Sequence, residues 1–156
     1  MPLLHRSLDS DTNRVLLSWA MPVPAVQVWW GLTSSEALSQ WLGTPTSGTF
    51  VVGDVVAVEH AEGFLSTSTI LACEPQQLLS MTWDFPDEPR SLLSIRLEPD
   101  DDGATRLTLA HDGLGGEAAG YLPGWHTHLL YLEGLLTSRP LDPAAFWSTY
   151  EEVNQV

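Results

Sequence analysis

The sequence contains no lysine and only six arginines against 20 acidic residues, which gives a formal net charge of −14 at pH 7. A surface with this excess of negative charge repels the phosphates of nucleic acids and of anionic lipid heads. We therefore expect neither nucleic acid nor a membrane surface as a partner. The simplest role of the charge is to keep the protein soluble.

Cysteine is almost as scarce, because Cys73 is the single one and leaves no partner for an internal disulfide. Such usage is typical of a reducing compartment. No apolar run approaches the roughly 18 residues of a membrane span, and the N-terminal MPLLHRSLDSD lacks the apolar segment of a signal peptide. The sequence therefore predicts a cytoplasmic protein, and its 156 residues suit one domain.

Most of the chain alternates between apolar and polar residues with the period of two that strands require. The strands predicted in this way cover residues 14–21, 49–52, 55–60, 64–74, 78–84, 91–98 and 105–112. Short turns between them indicate an antiparallel meander. Two short helices interrupt it after the first strand, one beginning near Pro24 and the next at a capping box formed by Thr33 and Glu36.

A long amphipathic helix is predicted over residues 121–136. Its apolar stripe spans an arc of about 120° and consists of Tyr121, Trp125, His128, Leu129, Leu132, Leu135 and Leu136. Thr127 and Gly134 are predicted on the far side. We expect residues 1–13 to be loose, residues 14–138 to form the domain, and residues 139–156 to be an extension with a short helix capped by Asp142.

Motifs in this order resemble those of the SRPBCC (START-like) superfamily, and within it the branch named for the activator of the Hsp90 ATPase. The matching pieces are Pro24–Trp29, Trp41-Leu42, Gly53-Asp54, Pro75–Leu79, Thr82-Trp83, Ser94–Glu98, Thr105–Leu109, His111–Leu114 and Gly124-Trp125. The resemblance runs from about residue 14 to residue 136. It implies an α+β helix-grip fold, in which a curved antiparallel sheet surrounds a long C-terminal helix and leaves a cavity.

The resemblance also implies three possible functions, because the superfamily contains binders of lipids, steroids, polyketides and hormones as well as some enzymes. The first is a non-catalytic carrier or sensor of a small apolar molecule, as a monomer or homodimer. The second is a cyclase, dehydratase or hydrolase that uses His111 or His128. The third is a protein-interaction module of the chaperone-activator kind.

The predicted cavity wall combines inward-facing residues of the strands and the helix. The candidate ligand-binding residues are Met81, Trp83, Ile95, His111, Tyr121, Trp125, His128 and Leu132. His111 and His128 would be polar handles in an apolar pocket of roughly 300–1,000 Å³; alternatively, both are core histidines with satisfied hydrogen bonds. In the first case, phenylalanine at His111 should change ligand choice more than stability.

Nothing in the sequence indicates a cofactor, a metal or a reaction. The run Gly113–Ala118 has the form G-x-G-x-x-A but lacks the βαβ setting of a dinucleotide site. The acidic run before Gly103 lacks the later ligands of a calcium loop, and His126 and His128 diverge on a helix and so cannot share one metal. No nucleophile elbow or close carboxylate pair occurs, so we favour binding over catalysis.

Overall fold

The computed structural model of the protein describes residues 2–155. Its strands are β1 (Leu3–Asp9), β2 (Arg14–Met21), β3 (Thr44–Ser47), β4 (Val55–Ala61), β5 (Phe64–Glu74), β6 (Leu78–Trp83), β7 (Ser91–Pro99) and β8 (Thr105–Asp112). Its α-helices are α1 (Ala25–Thr33), α2 (Ser35–Trp41), α3 (Ala118–Leu136) and α4 (Phe146–Asn154). The strands form one antiparallel sheet in the order β1-β2-β8-β7-β6-β5-β4-β3, which confirms the predicted α+β helix-grip architecture.

The core lies between the inner face of this sheet and α3. In the middle of the sheet, Leu17 of β2 pairs with Leu109 of β8, which in turn pairs with Ile95 of β7. All three side chains are buried, as their period-two alternation predicts. Leu132 of α3 belongs to the same hydrophobic core and is fully buried. A Cβ on Gly31 of α1 would lie 2.8 Å from its Cδ1 atom, so a larger residue there would require the Leu132 side chain to shift.

The N-terminal segment is not loose, contrary to the expectation for residues 1–13. Residues Leu3–Asp9 form β1, which pairs antiparallel with β2. This pairing satisfies backbone groups of β2 that would otherwise be left at a sheet edge. Arg6 anchors the strand, because its Nη1 atom donates to Nδ1 of His126 at 2.7 Å and to the Val153 carbonyl at 2.8 Å. Met1 lies outside the described residues.

Two local predictions also differ from the structure. Residues 49–52 form a turn instead of a strand, because the Asp54 carboxylate accepts hydrogen bonds from the Thr49 amide at 2.7 Å and hydroxyl at 2.8 Å. The strand at this sheet edge is β3 instead. Thr33 does not cap α2: its hydroxyl donates to the Trp29 carbonyl of α1 at 2.8 Å, and Ser34 occupies the N-cap position.

Helix α3 is covered on both sides, which its apolar stripe alone did not predict. Trp125 on the predicted face is buried, but so are Thr127 and Gly134 on the opposite face. The chain after α3 folds back over that second face, where the Tyr131 hydroxyl donates to the Asp142 carbonyl at 2.6 Å. The predicted short helix after Asp142 is present as α4 and docks against α3. No helix within residues 2–155 combines the length and apolarity needed to cross a bilayer.

Candidate functional site

A cavity of about 790 Å³ opens between the end of α2, the sheet, α3 and α4. This volume falls within the usual range of small-molecule sites. The cavity is open to solvent on one side, where Phe64 is 65% and Trp147 is 69% exposed. Its aromatic lining consists of Trp41, Phe64, Trp83, Phe85, Tyr121, Trp125, Tyr131, Phe146, Trp147 and Tyr150.

Trp83 at the end of β6 is the centre of the inner wall. Its ring lies edge-on to that of Trp125 on α3, with the ring centroids 5.2 Å apart. It also contacts His60, at 5.4 Å, and Phe85, at 6.0 Å between centroids. Edge-to-face contacts of this kind stabilise aromatic clusters beyond the burial of their area. The inner wall is therefore a fixed apolar surface.

A short hydrogen-bonded chain holds Tyr121 against this wall. Trp83 Nε1 donates to the Tyr121 hydroxyl at 3.1 Å, and that hydroxyl donates to Oε1 of Glu88 at 2.6 Å. Burial raises the pKa of Tyr121 well above its ordinary value, and the hydrogen bond to Glu88 acts in the same direction. The phenol therefore stays neutral at physiological pH, while Glu88 brings a carboxylate to the cavity.

His128 on α3 lines the cavity, as predicted. Its Nδ1 atom lies 2.9 Å from the Trp41 carbonyl, so Nδ1 carries the proton and donates it. Burial lowers the pKa of His128 to about 4; the hydrogen bond to Trp41 opposes this effect, and nearby His60 adds to it. In neutral His128, Nε2 keeps a lone pair, and within residues 2–155 no hydrogen bond engages it.

His60 on β4 is a lining residue that we did not predict from the sequence. Its Nε2 atom is hydrogen bonded to the Ser66 hydroxyl at 2.8 Å, and burial lowers its pKa to about 4. The sequence does contain the relevant signal, because Val56, Val58 and His60 alternate on one face of the strand. Its position at the strand end, next to a turn, concealed it.

His111 does not line the cavity, so the prediction that it is a polar handle there is wrong. Its side chain is fully buried behind Trp125, whose Nε1 donates to Nδ1 of His111 at 2.9 Å. The other ring nitrogen, Nε2, therefore carries the proton and donates to the Ser91 hydroxyl at 2.8 Å. Burial lowers the pKa of His111 to about 3. The alternative interpretation, a core histidine with satisfied hydrogen bonds, is correct: His111 positions Trp125.

The remaining predicted residues divide between cavity and core. Trp83, Tyr121, Trp125 and His128 line the main cavity. Met81 and Ile95 lie deeper, around a separate void of about 30 Å³ that is too small for an organic ligand. Leu132 is fully buried between α3 and α1. The inward faces of the sheet and helix thus supply both a packed layer and a cavity wall.

The outer wall comes from the segment after α3, which the predicted site did not include. Phe146 of α4 contacts His128, with ring centroids 4.8 Å apart, and stacks edge-on to Trp147 at 5.2 Å. Tyr150 completes this wall and donates its hydroxyl proton to the Gly120 carbonyl at 3.1 Å. The sequence identifies these three residues as aromatic, but it does not indicate that they face a cavity.

The chemistry of the cavity is set by its lining side chains. No group of three or more histidine, cysteine or acidic side chains within residues 2–155 is placed to hold a metal ion. The thiol of Cys73 lies outside the cavity lining and donates to the Phe50 carbonyl at 3.3 Å. What the cavity offers a ligand is aromatic surface, one imidazole acceptor at His128 and carboxylates near its edge.

Several solved structures share this fold. CalU16 from Micromonospora echinospora superposes with a TM-score of 0.79 at 19% identity, over 99% of this chain and 95% of that one. MLL2253 from Mesorhizobium loti gives 0.74 at 26% identity, over 82% and 99%. DynU16, from the dynemicin biosynthetic locus, gives 0.73 at 24% identity, over 81% of this chain and 48% of its own.

Sequence comparison gives the family. No curated protein matches the chain. The sequence model described as "Activator of Hsp90 ATPase homolog 1-like protein" matches residues 22–137, from just after β2 to the end of α3. This range contains α1 to α3, β3 to β8 and most of the cavity lining described above. The chain therefore belongs to the Activator of Hsp90 ATPase homolog 1-like family, the branch that its motifs resemble.

Proposed function

We propose that this protein binds a small, mainly apolar molecule in the cavity between α2, the sheet, α3 and α4, as a carrier or sensor without catalysis. The observation that carries the proposal is the cavity itself, about 790 Å³ in volume and lined mainly by aromatic side chains. A void of this size is not filled by side-chain packing. Large exposed aromatic surfaces on a protein generally serve a partner or a ligand.

The energetics of the aromatic walls support binding. A ligand that buries about 200 Å² of apolar surface gains about 5 kcal/mol at 25 cal/mol per Å², before the cost of its lost freedom is subtracted. Polar anchors would add orientation, since His128 offers a lone pair and Tyr121 a fixed hydroxyl oxygen. A few fixed polar groups in an apolar cavity are typical of ligand sites.

The ionisation of the imidazoles favours binding over an enzymatic role. An efficient general base has a pKa near the working pH, whereas burial lowers the pKa values of His60 and His128 to about 4. Both rings are then neutral near pH 7 and accept protons poorly. Within residues 2–155, the one nucleophilic side chain hydrogen bonded to either ring is Ser66, whose hydroxyl contacts His60.

Titration with N-phenyl-1-naphthylamine, an uncharged fluorescent probe, tests the proposal. We expect probe emission to rise and tryptophan emission to fall, because Trp83 and Trp125 line the cavity. Gly124→Leu should block binding by filling the space near Tyr150, the single neighbour that a Cβ there would meet, at 3.9 Å. Gly116→Leu is the matched control, because a Cβ at Gly116 meets nothing within 4 Å and the residue is outside the lining.

The two glycine variants make the outcome decisive. Binding by the unaltered protein and by Gly116→Leu, together with its loss in a folded Gly124→Leu, would support the cavity as the site. Absence of probe binding to the unaltered protein, or equal binding by Gly124→Leu, would refute the proposal. Native mass spectrometry of freshly purified protein should also show a co-purifying small molecule.

A further inference from the structure

The charges around the cavity are of one sign. Its lining contains the acidic residues Glu59, Glu88 and Glu117 but none of the six arginines, all of which lie within residues 2–155. Arg90, the arginine in the same loop as Glu88, is turned away in an ion pair with Asp84, with Nε and Oδ1 3.0 Å apart. The chain as a whole carries a net charge of −14. A molecule in the cavity therefore experiences a negative potential.

The imidazoles do not change this balance. Burial lowers the pKa values of His60 and His128 to about 4, so neither ring adds positive charge at neutral pH. Neutral His128 instead presents the lone pair of Nε2, an acceptor that suits an N–H donor. The lining thus combines carboxylates and an acceptor nitrogen, and within the described residues it has no cationic side chain.

The start of α3 does not favour an anion in the cavity either. The N-terminus of a helix favours negative charge, and α3 begins beside the cavity. Its N-cap residue, however, is Glu117, whose carboxylate lies close enough to raise the pKa of Tyr121 further. Glu88 supplies a second carboxylate, and of its two oxygens the described residues engage only Oε1, through Tyr121.

We infer that the preferred ligand is an organic cation, namely an apolar or aromatic body that carries a protonated amine. The aromatic walls favour the body, and the faces of Trp83, Trp147 and their aromatic neighbours attract a cation as well. The carboxylates of Glu88 and Glu117 complement the ammonium group. The same charges weaken the binding of carboxylated and phosphorylated ligands. This inference rests on the proposed binding function and specifies its ligand class.

Three probes with one naphthalene ring and different charges test the inference at pH 7.5: 1-naphthylmethylamine, 1-naphthylmethanol and 1-naphthoate. We expect the cationic amine to bind at least fivefold more tightly than the neutral alcohol, and the anion at least fivefold more weakly. Glu88→Gln should reduce the ratio of amine to alcohol affinity at least threefold, because glutamine keeps the acceptor for Tyr121 but loses the charge. Glu98→Gln, an exposed residue outside the lining, removes the same charge and should leave the ratio unchanged.

The possible outcomes separate this inference from the function on which it rests. Equal affinities for the three probes would overturn the cation preference while leaving apolar binding intact, as would tighter binding of the anion. Failure of every probe to bind would overturn both. An equal fall of the ratio in Glu88→Gln and Glu98→Gln would show that the preference comes from net charge and not from the cavity, and would also overturn the inference.

Discussion

Replacement of His111 by phenylalanine should destabilise the protein more than it changes ligand binding. In the structure His111 is fully buried and joins β8 to α3, because Trp125 Nε1 donates to its Nδ1 atom at 2.9 Å. Phenylalanine cannot accept this hydrogen bond. Trp125 is itself only 2% exposed, so water cannot take the place of His111 as the acceptor. The sequence alone predicted the opposite balance, since it placed His111 in the cavity wall.

The magnitude follows from the groups left without partners. An unpaired buried donor costs about 1–3 kcal/mol, and the somewhat larger phenyl ring adds strain of about 1 kcal/mol in a packed site. The Ser91 hydroxyl no longer accepts a hydrogen bond from His111 Nε2, but it still donates to the Trp83 carbonyl at 3.1 Å. The change at Ser91 therefore costs little stability. We therefore expect the free energy of unfolding to fall by about 2–4 kcal/mol.

Urea unfolding of four proteins measures this effect: the unaltered chain, His111→Phe, Trp125→Phe and the double variant. Each single variant leaves one buried partner unpaired, whereas the double variant removes both. The double variant should thus lose at least about 1 kcal/mol less than the sum of the single losses. Additive losses, or a loss below about 0.5 kcal/mol for His111→Phe, would refute the hydrogen-bonded role of His111.

Two further predictions concern pH and backbone conformation. Burial lowers the pKa of His60 and His128 to about 4 and of His111 to about 3, from 6.5; protonation therefore favours the unfolded chain. The free energy of unfolding should have its full value above about pH 6.5 and should fall from there towards pH 4. Each imidazole should lower it by at most about 1.4 kcal/mol for each pH unit. Equal urea midpoints at pH 7.5 and 5.0 would contradict this. Gly48→Ala should lower the melting temperature far more than Gly53→Ala. Both glycines have the same backbone conformation, with φ of +89° and +91°. A Cβ at Gly48, however, would lie 2.1 Å from a β4 carbonyl oxygen, whereas a Cβ at Gly53 would meet nothing within 4 Å. Similar melting temperatures for the two variants would show that this close approach is absent.

The parts of the fold that the sequence predicted well are those fixed by local patterns. The predicted bounds of β5 and β8 agree with the structure, because alternation and turn residues define both strands. Strand β1 was missed, since its seven residues pair with β2 across a turn and carry no clean alternation. The burial of Gly134 could not be predicted from the helix alone, because Arg139 and Leu141, which follow α3, pack against it.

For the site, the sequence could predict which residues face the inside of the sheet. It could not predict which of them reach the cavity and which lie deeper, in the core. The period-two pattern places His60 and His111 alike on the inner face of the sheet. The structure puts the first at the cavity and the second behind Trp125. Depth depends on where α3 crosses the sheet and on how far α4 reaches, and neither is encoded in the periodicity of one strand. The same limit explains why Met81 belongs to the core.

The position of α4 has a consequence for the proposed binding function. The family match ends at residue 137, whereas the outer wall of the cavity is built from Phe146, Trp147 and Tyr150. Substitutions in this short segment can therefore reshape the entrance without disturbing the register of the sheet or the packing of its core. Under the proposed binding function, exchange of this last helix alone would alter the ligand while leaving the strand order of the sheet as it is, so recognition and folding could evolve separately.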